Sequence, residues 1–391
     1  MNSECVVGTD AKADCRISVV ADGAGTIDVQ TKAADLAERG IRHVVERALE
    51  AADVHGLSVT VEDFGSLDVI LASRLEAALR LASAESSIPV TVHPSRRPSD
   101  KDRPRRSRLY APGNNPRVLA GIEIHGADCV LLDLEDSVPP AEKTPARILV
   151  KRLLAETRFP EEVWVRINAL ECGGRDDLHE VLQGRPHGIC LPKAERTEDV
   201  QDLASELTRL EAEFGLASGS TWIMPIVETA AGVLHCEAIA AANERVAIVA
   251  FGAEDYTRDV GCARAGDALL FARSRLVAAT AAAGVQVSDT VFADVADDEG
   301  LYAEACTARS LGFDGKGAIN PRQLGPIHRA FSPTEQEIEH ARVVVAAADE
   351  AEAAGLGAVS LNGKMVDRPV VERARRLLRI AERLSAGRAE S

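Results

Sequence analysis

Apolar residues follow two rhythms along this chain. From residue 106 onward, short candidate strands, runs of about four to eight residues and most of them rich in apolar residues, alternate with helical patterns, the mark of parallel strands covered by helices on their outer face. Eight such runs stand out, at 108–111, 129–134, 163–167, 188–192, 222–227, 247–251, 286–292 and 315–319. Alanine-rich helical stretches separate most of them, for example 200–214 and 267–283. Eight strand–helix units in this length predict a (β/α)8 TIM barrel. An open doubly wound sheet would need a glycine-rich phosphate loop after its first strand. The segment Y-A-P-G-N-N-P-R at 110–117 is not G-x-G-x-x-G, and the chain has no Walker motif.

Before residue 87 the rhythm differs. Segments 14–20 and 25–31 alternate as strands and predict a hairpin around Asp22 and Gly23. Residues 33–52 have helical periodicity, 57–62 alternate as a strand, and 66–81 predict a helix capped by Ser66. The stretch 93–106 is charged, proline-rich and poor in anything to bury, which predicts a solvated linker, although its basic groups could attract an anionic cofactor tail. Beyond the barrel, 332–391 adds helices around a glycine-rich turn at 355–366 that leads into Asp367. The expected division is therefore a small α+β domain (1–86), a linker (87–105), a barrel (106–331) and a C-terminal helical segment (332–391).

Composition narrows the class. Of 391 residues, 46% are hydrophobic and 27% charged, ordinary for a globular enzyme, but only 3% are aromatic, so small aliphatic side chains must fill the core. The net charge of −16 argues against nucleic acid as a partner, because phosphate binding needs a basic footprint. No stretch approaches the roughly 20 apolar residues of a membrane span. The first ten residues carry acids and lack a signal-peptide core, so a cytoplasmic protein is expected. Eight scattered cysteines without a C-x-x-C pair favour buried thiols in a reducing compartment over disulfides or zinc.

The ends of the strands carry the candidate chemistry, since ligands of parallel α/β folds bind at the carboxyl ends of the strands. Glu228 closes the fifth run, and Glu254 and Asp255 follow the sixth. With no His or Cys beside them, such oxygens suit a hard cation, Mg²⁺ above all. Solvated acids that cap helices or pair with arginine would give the same pattern. Other polar strand ends are Asp133, Glu135 and Asp136, Arg166 and Asn168, Lys193, Asp289 and Asn320. A ring of acids with one Arg and one Lys suits a divalent metal and an anionic substrate. Arg166 could clamp that substrate's oxygens, neutralise the acids, or both.

Several motifs extend this reading. R-S-R-L-Y-A-P-G-N-N-P-R (106–117), L-D-L-E-D-S-V-P-P-A-E-K (132–143), V-R-I-N (165–168), L-P-K (191–193), V-E-T-A-A-G-V (227–233), F-G-A-E-D-Y (251–256), G-F-D-G-K-G-A-I-N-P-R-Q (312–323) and S-L-N-G-K-M-V-D-R-P-V-V-E-R-A-R (360–375) follow in order. Over 105–385 the chain resembles the citrate lyase β-subunit family, within the HpcH/HpaI aldolases that include malyl- and citramalyl-CoA lyases. Residues 1–86 resemble the acyl-carrier γ subunit of citrate lyase. That subunit holds its CoA-derived group on a Ser in G-T-x-x-S-x-D, whereas here the pattern runs from Gly8 to Asp14 with Lys12 at the Ser position. A phosphodiester needs a hydroxyl, so no prosthetic-group attachment is expected.

The resemblance implies a Mg²⁺-dependent carbon–carbon lyase that cleaves a hydroxyacyl thioester, such as citryl thioester, to oxaloacetate and an acetyl thioester. With Lys12 at the Ser position the handle would be free CoA, a separate carrier, or no thioester at all. It implies metal ligands Glu228 and Asp255, Arg166 and Glu254 as substrate contacts, and Glu135 and Asp136 orienting metal-bound waters or Arg166. Asp367, which on bare sequence is only a turn residue, becomes the proton donor or base, supplied by a neighbouring subunit of a homotrimer or higher oligomer. The alternatives are a malyl- or citramalyl-CoA type lyase or thioesterase, an aldolase run in the condensing direction, and a partner-docking subunit without activity.

Overall fold

The computed structural model describes residues 4–32, 35–82, 88–90, 92–93, 99–353, 359–361 and 364–389. Strands β1 (Cys5–Gly8), β2 (Cys15–Ala21), β3 (Ile27–Thr31) and β4 (Leu57–Asp63) form one sheet in the order β1-β2-β4-β3, with α1 (Asp35–Ala51) and α2 (Asp68–Ala82) packed on it. The expected hairpin between β2 and β3 is absent. Instead β4 lies between them, antiparallel to β2 and parallel to β3. Alternation marks a segment as a strand but does not select its neighbour. Strand β4 buries Val59 and Val61 and pairs with β2 along its full length, so the more apolar strand takes the central place. Ser66 does not cap α2; its hydroxyl donates to Asp63 Oδ1, and the helix starts at Asp68.

All eight barrel strands expected from the sequence form. They are β5 (Ser107–Pro112), β6 (Cys129–Asp133), β7 (Glu162–Arg166), β8 (Gly188–Leu191), β9 (Trp222–Val227), β10 (Ile248–Phe251), β11 (Gln286–Asp289) and β12 (Gly315–Ala318), parallel and closed into a ring. Between and after them lie α3 (Pro116–Leu119), α4 (Lys143–Glu156), α5 (Gly174–Val181), α6 (Thr197–Glu213), α7 (Ala230–Ala240), α8 (Ala253–Val260), α9 (Gly266–Ala283), α10 (Asp298–Leu311) and α11 (Leu324–Phe331). The fold is thus a (β/α)8 barrel. Its interior packs Leu131, Trp164, Cys190, Met224 and Ile248, and a separate larger core joins the outer faces of the strands to the helices.

The end of the expected linker is not a solvated tether. Arg105 is buried at the amino-terminal face of the barrel, where Nε and Nη2 donate to the two Glu162 oxygens at 2.6 and 2.8 Å. Burial alone would raise Glu162, but the Arg105 bonds override it and bring its pKa down to about 2. Arg106 is held likewise by Asp128. These cations close the floor of the barrel and are not free for an anionic tail. Residues 94–98 of that stretch lie outside the described residues.

Helix α2 is buried on two sides because it is wedged between the small sheet and α4. Leu71, Leu75 and Leu79 belong to the core of the small domain, while Ile70 joins the core of the barrel. Charge reinforces this seam. Glu76 and Lys151 are each 0% exposed, and Glu76 accepts from Lys151 Nζ at 2.6 Å, Arg152 Nε at 2.8 Å and Arg80 Nη2 at 2.7 Å. At the carboxyl end, α12 (Glu335–Ala353) and α13 (Arg368–Ala389) pack together through Ala341, Val344, Val371 and Ala374. Part of the 355–366 turn lies outside the described residues; its flanks form the antiparallel pair β13 (Val359–Leu361) and β14 (Lys364–Val366). No helix among the described residues is long and apolar enough to cross a membrane.

Candidate active site

A cavity of about 380 Å³ opens at the carboxyl ends of the barrel strands. Strand register decides what meets there. Val227 of β9 lies in register with Phe251 of β10, so Glu228 and Gly252 leave the barrel side by side. Thr229 then caps α7 by accepting from the Gly232 N–H, which fixes the chain just past Glu228. A Cβ on Gly252 would come within 2.5 Å of Glu228 Oε2, so only glycine lets the two strand ends approach this closely. Asp255 follows in the first turn of α8 rather than on the strand itself.

Glu228 is 3% exposed and accepts the Lys193 backbone N–H at 2.8 Å. Burial, with the nearby Asp255 and Glu135 carboxylates adding to it, pushes its pKa up to about 7 against the opposing pull of the Lys193 amide and Arg166. Two crowded acids, one resisting its own charge, and donors that are all oxygen make a place for a hard divalent cation. Among the described residues no group of three or more His, Cys, Asp or Glu side chains is poised around a metal. Two carboxylates with the remaining positions open suit a cation that also binds substrate and water.

Across the mouth, Asp133 of β6 is in register with Arg166 of β7. Arg166 donates from Nε and Nη2 to the two Asp133 oxygens, and its Nη1 lies 2.9 Å from Glu135 Oε2. Burial works against both charges of the Arg166–Asp133 pair, yet their mutual bonds keep the Asp133 pKa below and the Arg166 pKa above the ordinary values. Glu135 also pairs with Lys193 Nζ, while Asp136 sits at the cavity edge, 3.9 Å from the same amine. Neither acid caps a helix, since the 3-10 turn that follows starts at Pro140 behind Pro139 and runs into α4 at Lys143.

Of the expected residues, Arg166, Glu228, Glu254, Asp255 and Asp136 all line the cavity, and Glu135 reaches it through Arg166 and Lys193. Glu254 and Asp255 are engaged by Arg264 and Arg258 respectively. Asp367 is not among the residues that line this cavity of its own barrel; it is exposed and turns its Oδ1 to the Val370 N–H at the start of α13. The polar strand ends Asp289 and Asn320 also lie outside the lining. Asp289 is buried outside the mouth, held by Arg273 and Lys316. Asn320 serves a turn by accepting from Arg322 N.

The sequence names Asp133 as a strand end but not its role, which is to anchor Arg166. Three contributors have no reading in the sequence. Lys143 donates to the Leu134 and Glu135 carbonyls and to Asn168 Oδ1, shaping the loop that carries Glu135. Tyr110 and Arg108 line the cavity below Arg166. Lys12 is exposed on a loop whose Asp14 is pinned by a bidentate bond from Arg74.

Residues 106–321 match the HpcH/HpaI aldolase/citrate lyase family, and residues 2–82 match the ACP family described by malonate decarboxylase delta subunit. The latter broadens the expected citrate lyase γ likeness to a carrier-type domain. The chain is 43% identical over 286 residues to citrate lyase subunit beta of Escherichia coli K12, covering 72% of this chain and 95% of that relative. It is 32% identical over 298 residues to human mitochondrial citramalyl-CoA lyase, covering 71% of this chain and 86% of that one. The crystal structure of Mycobacterium tuberculosis CitE in complex with magnesium, acetoacetate and coenzyme A is similar with a TM-score of 0.58 at 31% identity, covering 72% of this chain and all of that one. A closed parallel barrel with a carboxylate-lined mouth, together with these similarities over nearly the whole of each relative, makes this chain a member of the HpcH/HpaI aldolase/citrate lyase family, and a lyase.

Proposed function

We propose that this protein is a Mg²⁺-dependent carbon–carbon lyase that cleaves a hydroxyacyl thioester, such as citryl thioester, to a 2-oxoacid, oxaloacetate, and an acetyl thioester. The observation that carries it is Glu228, a buried acid at the end of β9 with its pKa pushed up to about 7 near Asp255 in the first turn of α8. The M. tuberculosis neighbour holds magnesium, acetoacetate and coenzyme A, which supports the same cation and ligand class here. Glu228 and Asp255 hold the cation, which supplies Lewis-acid polarisation of the oxygens on the departing 2-oxoacid. Arg166, kept charged and in place by Asp133 and Glu135, clamps the same fragment. Glu254 borders the substrate, and Asp136 and Lys193 set the charge around Glu135.

Asp367 moves the proton at the thioester α-carbon, from a neighbouring subunit of a homotrimer or larger ring. Its position outside the lining of its own barrel supports this reading. Lys12 in place of a hydroxyl favours a free CoA ester, or a separate carrier, as the handle. The eight free thiols suit a reducing compartment such as the cytoplasm. The test is release of a 2-oxoacid from citryl-, malyl- and citramalyl-CoA. Activity should require Mg²⁺ and vanish with EDTA or E228Q; free CoA released without a 2-oxoacid would instead mark a thioesterase.

A further inference from the structure

Arg108 occupies an unusual place for a cation. It lies on β5, two residues before Tyr110, is 3% exposed, and contributes to the wall of the mouth cavity. Its Nε and Nη1 have no hydrogen-bond partner. The groups around it are the Tyr110 phenol, whose ring centroid is 5.4 Å from the guanidinium carbon, and the thiols of Cys190 and Cys129. Burial pushes Cys190 up to about 12 and also raises Cys129 and Tyr110, so all three are neutral at ordinary pH. Among the described residues the other buried arginines (Arg74, Arg105, Arg152, Arg245 and Arg273) each donate to a carboxylate. Arg108 does not.

A buried guanidinium without an anion is costly, and a counter-charge arriving through the cavity relieves that cost. Arg166 cannot be the receiver of every substrate anion, because it is already shared between Asp133 and Glu135. It also approaches the Tyr110 ring, 5.7 Å from the centroid, so one phenol ring is contacted by an arginine paired with carboxylates and by Arg108, whose side-chain bond goes to the neutral Tyr110. We propose that Arg108 is a specificity-determining residue that receives a second carboxylate of the substrate, so that the preferred 2-oxoacid fragment is a dicarboxylate. This rests on the reading of Glu228, Asp255 and Arg166 as the site for the 2-oxoacid head. The bidentate fork of Arg108 fits a carboxylate, and a monocarboxylic fragment leaves it unmatched.

The test is calorimetric binding of oxaloacetate and of pyruvate to the full chain with saturating Mg²⁺, using the parent, R108M and R108K. Oxaloacetate affinity should fall about 10- to 100-fold in R108M, with pyruvate affinity within about twofold of the parent and part of the oxaloacetate preference restored in R108K. The unliganded R108M protein should melt no lower than the parent, because an unpaired buried charge has been removed. Equal loss for both acids, no loss for either, or a lower melting temperature with the affinity ratio unmoved would overturn the assignment. A parent that binds pyruvate but does not favour oxaloacetate overturns the role of Arg108 alone. A parent that binds neither acid with Mg²⁺ overturns the lyase reading as well.

Discussion

Arg166 lays both arms of its fork on Asp133, Nε to Oδ1 at 2.6 Å and Nη2 to Oδ2 at 2.7 Å, from directly opposed positions on adjacent barrel strands. Ser137 Oγ adds a 2.5 Å bond to the same carboxylate. Such a clamp orients Arg166 before substrate arrives, so its contribution depends on geometry as much as charge. R166K keeps the charge but cannot span Asp133 and Glu135 together. We expect kcat/KM to fall by about 10²- to 10³-fold with the fold intact by circular dichroism. Asp133 acts as a positioning residue, so D133N should lower kcat more than it raises KM; parent-like kinetics in both variants would remove the clamp from the mechanism.

Glu228 links metal binding to pH. Its pKa of about 7, raised from an ordinary 4.5, means the folded protein favours its protonated form. Stability from this group is complete below about pH 4.5 and is lost as pH rises through about 7. The metal-free protein should therefore melt at falling temperature across that window, and Mg²⁺ should reverse the loss. Apparent Mg²⁺ affinity should climb about tenfold per unit between roughly pH 5 and 7 and then level off. E228Q should flatten both profiles. G252A, by forcing a Cβ against Glu228, should weaken Mg²⁺ binding while leaving the barrel folded; an unchanged affinity would mean that the glycine is dispensable there.

Sharing of Asp367 between subunits predicts complementation. D367N and E228Q should each be inactive as pure proteins. Mixed under conditions that exchange subunits, they should regain a substantial fraction of parental activity, because some sites then combine an intact Glu228 with an intact Asp367. Activity that stays at background after exchange, verified by mass of the mixed oligomers, would place Asp367 in its own barrel or outside the chemistry.

The seam between the two domains rests on Glu76. E76A leaves Lys151, Arg152 and Arg80 with less compensation in a buried interface, and the cost of breaking such a cluster is about 3–5 kcal/mol. The parent should melt in one transition, and E76A should show an earlier unfolding of the small domain by calorimetry. A single, unshifted transition would show that the apolar faces of α2 suffice.

Lys12 makes its own prediction. Intact mass spectrometry of protein from a host that makes the citrate lyase prosthetic group should give the unmodified mass over residues 1–86. An added phosphoribosyl-dephospho-CoA mass on that segment would reverse the reading of this domain.

Period and punctuation were enough to announce the barrel. Eight largely apolar runs spaced by helices allow little else, because each run must be buried on both faces and each helix must cover one side. Motif order was enough to name the carboxylates and the arginine, and the strand-end rule placed Glu228, Asp255 and Arg166 at one mouth. Local pattern does not carry pairing, so the position of β4 between β2 and β3 came only from the folded sheet. The same holds for charge. Arg105 and Arg106 read as solvated linker groups and Asp289 as a mouth residue until the fold paired them in buried places. Whether a charged residue faces water, a partner or a cavity is decided by neighbours distant in sequence, and Arg108, left with no anion beside it, is the case where only the packed barrel reveals the question.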